Sequence, residues 1–174
     1  MKKFVMIITA ILASAMLLSA CVTAPVTETS SPSDSSAEFS LTTLTGDTLD
    51  QTVFSEHKLI MVNYWATWCG YCVEEIPDLV KISKEYADKG LVIIGVNVDI
   101  NDTEGAKKFV ADQKITYPMI NAEGFFLDKI QGYQSIPTTI FFDSTGKQVG
   151  EAVVGANNYE NWTGLIDLLL DRVE

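Results

Sequence analysis

The hydrophobic and polar positions predict alternating strands and helices through the middle of the chain. Residues 59–66 (LIMVNYWA) form a continuous apolar run, which is typical of a strand buried on both faces of a sheet. A helical pattern follows over residues 69–88, and Gly90 is placed to end that helix. Residues 91–99 (LVIIGVNVD) predict a second buried strand, and a further helix is expected over residues 103–113.

Shorter β patterns stand on both sides of this alternating region. Residues 39–50 (FSLTTLTGDTLD) predict a small hairpin that turns at Gly46 and Asp47. Residues 138–143 (TTIFFD) and 147–154 (KQVGEAVV) predict a second antiparallel hairpin. The strands of the domain are therefore expected to run in both directions.

A last helix is expected to close the domain. Asn157, with Glu160 three residues later, is assigned as its N-cap, and the helix should end near Arg172. The order of elements fits a mixed sheet covered by helices on both faces, with only a short segment assigned to residues 114–137. In such folds the functional loop lies at the carboxyl end of a central strand, which is where Cys69 falls.

The first 20 residues have the pattern of an export signal. Lys2 and Lys3 precede a long apolar run, and small residues precede Cys21. The ending Leu-Ser-Ala-Cys resembles a bacterial lipobox, in which the cysteine sulfur carries a diacylglycerol and the peptide is cut just before it. We therefore expect a lipoprotein signal peptide at residues 1–20 and lipid attachment at Cys21. An ordinary signal peptide or an uncleaved anchor is the alternative.

Residues 21–38 are expected to form a disordered tether. They are rich in Ser, Thr, Pro and Ala and offer almost nothing to bury. Such a tether reaches about 60 Å when fully stretched, so the domain at residues 39–174 should work close to the membrane. From Cys21 onward the chain carries 10 basic and 23 acidic side chains, so charge does not favour binding to nucleic acid or anionic headgroups.

Cys69 and Cys72 form a C-x-x-C pair at the predicted start of a helix. Lipidation would consume Cys21, which leaves these two as an even pair in an oxidising compartment. Their spacing brings both sulfurs to one helix face, and the helix dipole stabilises a thiolate at Cys69 by about 0.3–1 kcal/mol. Thiol-disulfide exchange needs a thiolate attacker and a second thiol that releases the mixed disulfide. We assign Cys69 as the nucleophile and Cys72 as the resolving thiol.

Three other interpretations of this pair compete with exchange chemistry. A zinc site usually has four ligands, and His57 is the only histidine of the chain. A structural staple would close a very small loop and would add little stability. A peroxidase of related fold needs a threonine three residues before its reactive cysteine, and Ala66 occupies that position. We expect no metal and no other cofactor, and we expect His57 to lie in a loop without a role.

Glu75 is an acid at a position where the helix phase predicts a buried side chain. At about 100° per residue it falls on the apolar flank beside Cys72, whereas Glu74 and Asp78 fall on the opposite side. Burial would raise the pKa of the carboxyl group, so that Glu75 could take or give a proton near Cys72. The alternative is that the helix bends near Pro77 and carries Glu75 into solvent.

A wider set of residues resembles the TlpA/ResA branch of the thioredoxin superfamily, which consists of membrane-tethered thiol-disulfide oxidoreductases outside the cytoplasm. The set comprises the NYWATWC approach to Cys69, the residues Cys72, Glu75 and Pro77, and SIPTTIFFD about 65 residues further on. The resemblance covers about residues 39–172. It implies an α/β thioredoxin fold with a mixed central sheet, an added N-terminal hairpin and a central βα insertion.

Other residues near the sulfurs have expected roles in substrate binding. The resemblance implies a cis peptide bond before Pro137, which would leave main-chain groups of Ile136 free to pair with an extended substrate. An ordinary trans proline at the start of a strand is the alternative. Trp68 and Tyr71 flank the sulfurs and should offer apolar contact to a partner, or else cap the core. Asn63 stands where cytoplasmic thioredoxins carry a buried aspartate. Because asparagine cannot titrate, the resemblance implies that Glu75 takes over proton transfer.

The sequence therefore predicts a lipid-anchored thiol-disulfide oxidoreductase on the outer face of the cytoplasmic membrane. We expect a monomer that passes two electrons from a membrane-bound thiol-disulfide donor to protein disulfides. The resemblance implies a role in cytochrome c maturation, in spore or envelope assembly, or in electron supply to repair reductases, and the sequence does not choose among these processes. The alternatives are an oxidant that introduces disulfides and a redox-inert lipoprotein that binds a metal ion or a partner.

Overall fold

Short strands and helices alternate along residues 38–173, which are the part of the chain described by the computed structural model. In chain order the elements are β1 (Ser40–Thr42), β2 (Thr48–Asp50), α1 (Thr52–Glu56), β3 (Leu59–Trp65), α2 (Gly70–Glu85), β4 (Leu91–Asn97), α3 (Thr103–Asp112), β5 (Met119–Asn121), α4 (Gly124–Ile130), β6 (Thr138–Asp143), β7 (Val153–Val154) and α5 (Tyr159–Leu170). The predicted signal peptide, the lipid site at Cys21 and the tether up to residue 37 lie outside the described residues.

Five strands form one mixed sheet in the order β5-β4-β3-β6-β7, and β1 pairs with β2 in a separate hairpin. All residues of the central strand β3 are buried, and it pairs in parallel with β4 and antiparallel with β6. The carboxyl ends of β3, β4 and β5 therefore meet the amino end of β6 at one edge of the sheet. We name this the Cys69 edge, and it consists of the loops at residues 66–69, 98–102, 122–123, 131–137 and 155–158.

The two faces of the sheet bury two separate hydrophobic clusters. Met61 and Trp65 of β3 face one cluster, which α2, α3 and α5 cover. Val62 and Tyr64 face the other, which the N-terminal hairpin, α1 and α4 cover. The second cluster is rich in phenylalanine rings, including Phe39, which lies edge-to-face against a ring of α1 with the centroids 6.1 Å apart. Successive residues of β3 point to opposite faces of the sheet, so both faces need apolar or aromatic side chains, and Asn63 is the exception, with its amide group donating to Thr139 of β6.

Most of the predicted elements are confirmed, with shifts at their ends. The helix that begins after Cys69 ends at Glu85, three residues earlier than predicted, and a 3-10 helix at Ala87–Lys89 continues it to Gly90. Gly90 has φ +94°, a left-handed conformation that glycine adopts without a Cβ penalty. The predicted strand at residues 147–154 is shorter in the structure, where only Val153–Val154 belongs to β7.

Three short elements were absent from the sequence prediction. They are α1, β5 and α4, and the last two occupy the segment at residues 114–137 that was predicted to be a short connection. Elements of three to seven residues are too short to show a clear period, so pattern alone cannot identify them. The β5–α4 unit lies in the central part of the chain, where the resemblance implied a βα insertion.

The predicted N-cap of the last helix is wrong by one residue. Asn158, not Asn157, precedes α5, and its side chain accepts a hydrogen bond from the backbone N–H of Asn161. The backbone N–H of Asn157 instead donates to Glu75, 82 positions earlier in the chain. Two adjacent asparagines can each cap a helix, and the long-range contact decides between them.

None of the helices within residues 38–173 has the length and the apolar character that crossing a membrane requires.

Candidate active site

The C-x-x-C pair lies where the central strand passes into α2. Cys69 is the N-cap of this helix, and its sulfur accepts a hydrogen bond from the backbone N–H of Cys72 at 3.2 Å. A disulfide joins the two residues, whose Cα atoms are 5.2 Å apart. The buried strand thus delivers the first sulfur to the helix N-terminus, where the dipole favours negative charge.

The two sulfurs differ in their access to solvent. Cys69 is 7% exposed and Cys72 is 1% exposed. The carbonyl oxygen of Ile136 lies 3.7 Å from Sγ of Cys69, and the Ile136–Pro137 peptide bond is cis, as the resemblance implied. A partner can therefore approach Cys69 along the loop before β6, whereas Cys72 lies beneath it.

Trp68 and Tyr71 stand on the surface beside the disulfide. They are 67% and 72% exposed, so the alternative in which they cap the core is wrong. The indole N–H of Trp68 donates to a carboxylate oxygen of Asp99 at 3.0 Å. The exposed rings leave apolar surface available to a partner on both sides of Cys69.

Asp99 is a site residue that was not predicted from the sequence. Its backbone N–H donates to the side-chain oxygen of Asn97, and the amide group of Asn97 donates in turn to the Asp99 carbonyl and to Asn121. Asn97 is fully buried at the end of β4. A polar residue that closes an otherwise apolar strand next to β3 was the available signal, because neighbouring parallel strands end at the same edge.

Glu75 is buried on the inner side of α2, as its helix phase predicted. It is 2% exposed, so the alternative in which a bend at Pro77 turns it into solvent is wrong. One carboxylate oxygen accepts a hydrogen bond from Asn63 at 2.9 Å. The other oxygen accepts from the backbone N–H of Asn157 at 3.1 Å and from the indole N–H of Trp162 at 3.2 Å.

These surroundings raise the pKa of Glu75 above its usual range. Desolvation by burial is the largest cause, and the negative charge of Asp78 adds to it. The hydrogen bonds from Asn157, Asn63 and Trp162 oppose the rise, because each of them stabilises the carboxylate. All three donors are neutral, so no cation compensates the buried charge, and protonation is the easier way to relieve it.

Asn63, Asn157 and Trp162 come to Glu75 from three different elements. Asn63 on β3 also donates to Thr139 on β6 at 3.1 Å, which fixes its amide group in the sheet. The sequence pattern placed Asn63 near the cysteines but carried no signal for Trp162, which lies 87 positions from Glu75. Among residues 38–173 there is no group of three or more His, Cys, Asp or Glu residues that could hold a metal ion.

The sheet order and the position of the cysteines define a thioredoxin-like protein. A strand leads through a C-x-x-C pair into a helix, and a cis-proline loop from the neighbouring antiparallel strand faces the first sulfur. Residues 32–149 match the AhpC/TSA family, and the chain belongs to this family.

Solved and curated relatives agree with this assignment. The structure of a thiol:disulfide interchange protein of the thioredoxin family from Chlorobium tepidum TLS superposes with a TM-score of 0.69 at 28% identity, covering 78% of this chain and 95% of that one. The thioredoxin-like protein YneN of Bacillus subtilis (strain 168) is 35% identical over 114 residues, 63% of this chain. The thiol-disulfide oxidoreductase ResA of Bacillus thuringiensis subsp. konkukian (strain 97-27) is 30% identical over 113 residues, 65% of this chain. The chain spans 64% of the length of YneN and of ResA.

Proposed function

We propose that this chain is a thiol-disulfide oxidoreductase that reduces disulfides of proteins outside the cytoplasm. The observation that carries the proposal is the Cys69–Cys72 disulfide at the N-terminus of α2, with Cys69 the more accessible sulfur. The names of ResA and of the Chlorobium protein support thiol-disulfide exchange as the reaction. Ala66 stands where the peroxidase alternative requires a threonine, so exchange fits the site better than peroxide reduction.

The reaction proceeds in two exchange steps. The thiolate of reduced Cys69 attacks one sulfur of the partner disulfide, which forms a mixed disulfide and releases the other partner sulfur as a thiolate. The thiolate of Cys72 then attacks Sγ of Cys69, which forms the intramolecular disulfide and releases the second partner sulfur. Two electrons pass to the partner, and a membrane-bound dithiol donor restores Cys69 and Cys72.

Each neighbouring residue has a proposed role in these steps. Glu75 takes the proton that Cys72 must lose before the second attack, because it lies one helical turn further on in a desolvated setting that favours its protonated form. Trp68 and Tyr71 bind apolar parts of the partner. The main chain of Ile136, with Pro137, aligns an extended partner segment beside Cys69.

Equilibrium titration of the dithiol against glutathione tests the direction of electron flow. We expect a reduction potential near or below about −250 mV, which fits a reductant. A potential near about −120 mV would instead make the protein an oxidant that introduces disulfides. If Cys69 and Cys72 did not interconvert between dithiol and disulfide at any glutathione ratio, the redox-inert lipoprotein would be favoured and the proposed reaction contradicted.

The lipid anchor at Cys21 belongs to the same proposal, because an anchored reductant meets its membrane donor at high local concentration.

Cys21→Ala is expected to abolish lipid attachment and to leave exchange by the domain at residues 39–174 unchanged. Partitioning between detergent and aqueous phases measures the first effect. The matched control is the Cys69→Ser/Cys72→Ser chain, which should stay in the detergent phase without exchange activity. Unchanged lipid labelling of Cys21→Ala would contradict the lipobox interpretation.

A further inference from the structure

A groove beside the disulfide runs between α2 and the loop that precedes α5. We name it the acidic groove, and it is lined by Tyr71, Glu74, Glu75, Asp78 and residues 156–158. Tyr71, Glu74 and Asp78 follow one another at spacings of three and four residues, so they form one stripe along the outer side of the helix. Tyr71 directly precedes Cys72 and is 72% exposed, so one end of the groove opens next to the reactive pair.

Within residues 38–173, the carboxylates of Glu74 and Asp78 have no cationic partner. Neither Glu74 nor Asp78 makes a side-chain hydrogen bond or an ion pair with any residue in the range 38–173. Asp78 is close enough to Glu75 to raise its pKa. The nearby Lys81 places its ammonium group over the ring of Tyr159 at 3.7 Å. The groove therefore carries uncompensated negative charge beside an exposed aromatic ring.

The described loops of the Cys69 edge are acidic. None of the loops that form it, within residues 38–173, contains a lysine or an arginine, whereas Asp99, Asp102 and Glu123 all lie there. Lysines instead occur at the opposite edge, such as Lys58 immediately before β3 and Lys89 two residues before β4. The carboxylates of this edge therefore attract a basic partner, and no lysine or arginine of these loops repels it.

We propose that the acidic groove binds a lysine or arginine side chain of the substrate, so that the preferred substrate is a basic cysteine-containing polypeptide. This inference rests on the proposed function and names its substrate class. A cation in the groove meets the carboxylates of Glu74 and Asp78, and the face of the Tyr71 ring attracts it as well. An acidic side chain at the same place is repelled.

The length of the groove fixes where the basic residue stands in the substrate. Along the axis of α2, Glu74 and Asp78 lie about 7.5 and 13.5 Å beyond Cys69, at about 1.5 Å per residue. An extended polypeptide advances about 3.3 Å per residue, so it covers these distances in about two to four residues. The basic side chain is therefore expected two to four positions from the cysteine that bonds to Cys69.

Exchange with designed peptides tests the inference. Three peptide disulfides share a neutral sequence and differ in one residue, which is lysine, glutamine or glutamate. That residue stands three positions from the cysteine, and each peptide is made once with it before the cysteine and once with it after the cysteine. With the reduced full chain, we expect the lysine peptide to react about 2- to 10-fold faster than the glutamine peptide, and the glutamate peptide to react more slowly. The differences should shrink in about 1 M salt, where the Debye length is about 3 Å.

Paired variants separate the groove from the overall charge. In Glu74→Gln/Asp78→Asn, the ratio of the lysine rate to the glutamine rate should fall towards one. The control Asp88→Asn/Glu151→Gln makes the same change in net charge at exposed positions outside the groove, and it should keep the parent ratio. Equal rates for all three peptides, or an equal fall of the ratio in both variants, would overturn the inference and leave the proposed function standing. No exchange with any peptide would overturn both.

Discussion

Cys72→Ser is expected to accumulate mixed disulfides with substrate proteins, whereas Cys69→Ser is expected to accumulate none. The reason is that attack needs only the Cys69 thiolate, while release of the partner needs the second sulfur. Cys69 is the more exposed of the two and lies beside the Ile136 carbonyl, so a partner sulfur can reach it. The expected contrast is close to all or none, because the serine hydroxyl cannot take the place of a thiol in the second step.

Trapping is measured by non-reducing electrophoresis followed by treatment with a reductant. High-molecular-weight species should appear with Cys72→Ser, disappear on reduction, and remain absent from Cys69→Ser and from Cys69→Ser/Cys72→Ser. Equal trapping by the two single variants would reverse or remove the assigned roles. The identity of the trapped proteins also bears on the substrate class, since the acidic groove predicts basic residues two to four positions from their cysteines.

Periodicity in the sequence was sufficient to place the reactive pair and the carboxylate beside it. The buried run before Cys69 identified the central strand, and counting helix phase from Cys72 put Glu75 on the inner face, where the structure buries it. Both inferences depend on local geometry that repeats along an element, so a single sequence can carry them. The same phase put Glu74 and Asp78 on the outer side, where they line the acidic groove.

Contacts between distant segments could not be predicted in this way. Trp162 reaches Glu75 from α5, and its separation of 87 positions has no local signature. The hydrogen bond from Trp68 to Asp99 spans 31 positions and depends on how two neighbouring strands end. Asn157 was interpreted as a helix cap because the cap rule is local, whereas its actual partner is fixed by packing of α5 against α2. Tertiary contacts decided each of these cases.

Glu75→Gln is expected to displace or remove one apparent pKa from the pH profile of exchange. General acid-base assistance is typically worth about 10²- to 10⁴-fold, and that assistance depends on a carboxyl group that titrates near the working pH. Burial raises the pKa of Glu75 towards that range. Of its electrostatic neighbours, Asp78 adds to the rise, and Tyr117 stays neutral because burial raises the pKa of its hydroxyl group above the ordinary value of 10.0. The change should therefore be traceable to one group.

The substituted side chain can be accommodated without a change of shape. The amide oxygen introduced by Glu75→Gln would accept the hydrogen bonds from Asn157 and Trp162, which now go to one carboxylate oxygen. The amide nitrogen would face Asn63, whose side chain can turn over and present its oxygen to the new amide group and to Thr139. The hydrogen bonds from Asn157 and Trp162 are therefore kept, and the substitution removes the titrating group with little change in side-chain volume.

A stability measurement gives the same assignment an independent check. The folded state binds the Glu75 proton more tightly than the unfolded chain does, since its folded pKa lies above the ordinary value of 4.5. The stability from this group is fully present below that ordinary value and is lost as the pH rises through the folded pKa. The free energy of unfolding of the parent should thus fall relative to Glu75→Gln as the pH rises from about 4 to 8. Denaturant unfolding at a series of pH values measures this difference.

Exchange rates with a small neutral disulfide, followed from about pH 5 to 9, complete the test. Glu151→Gln is the matched control, because it makes the same chemical change at an exposed position in the connection that leads to β7. It should reproduce both the pH profile and the stability curve of the parent. If the profile of Glu75→Gln also matched the parent, the proton of Cys72 would pass to water or to the substrate. A stability difference that persisted in that case would identify Glu75 as a buried, hydrogen-bonded carboxyl group with a structural role and no part in the exchange step.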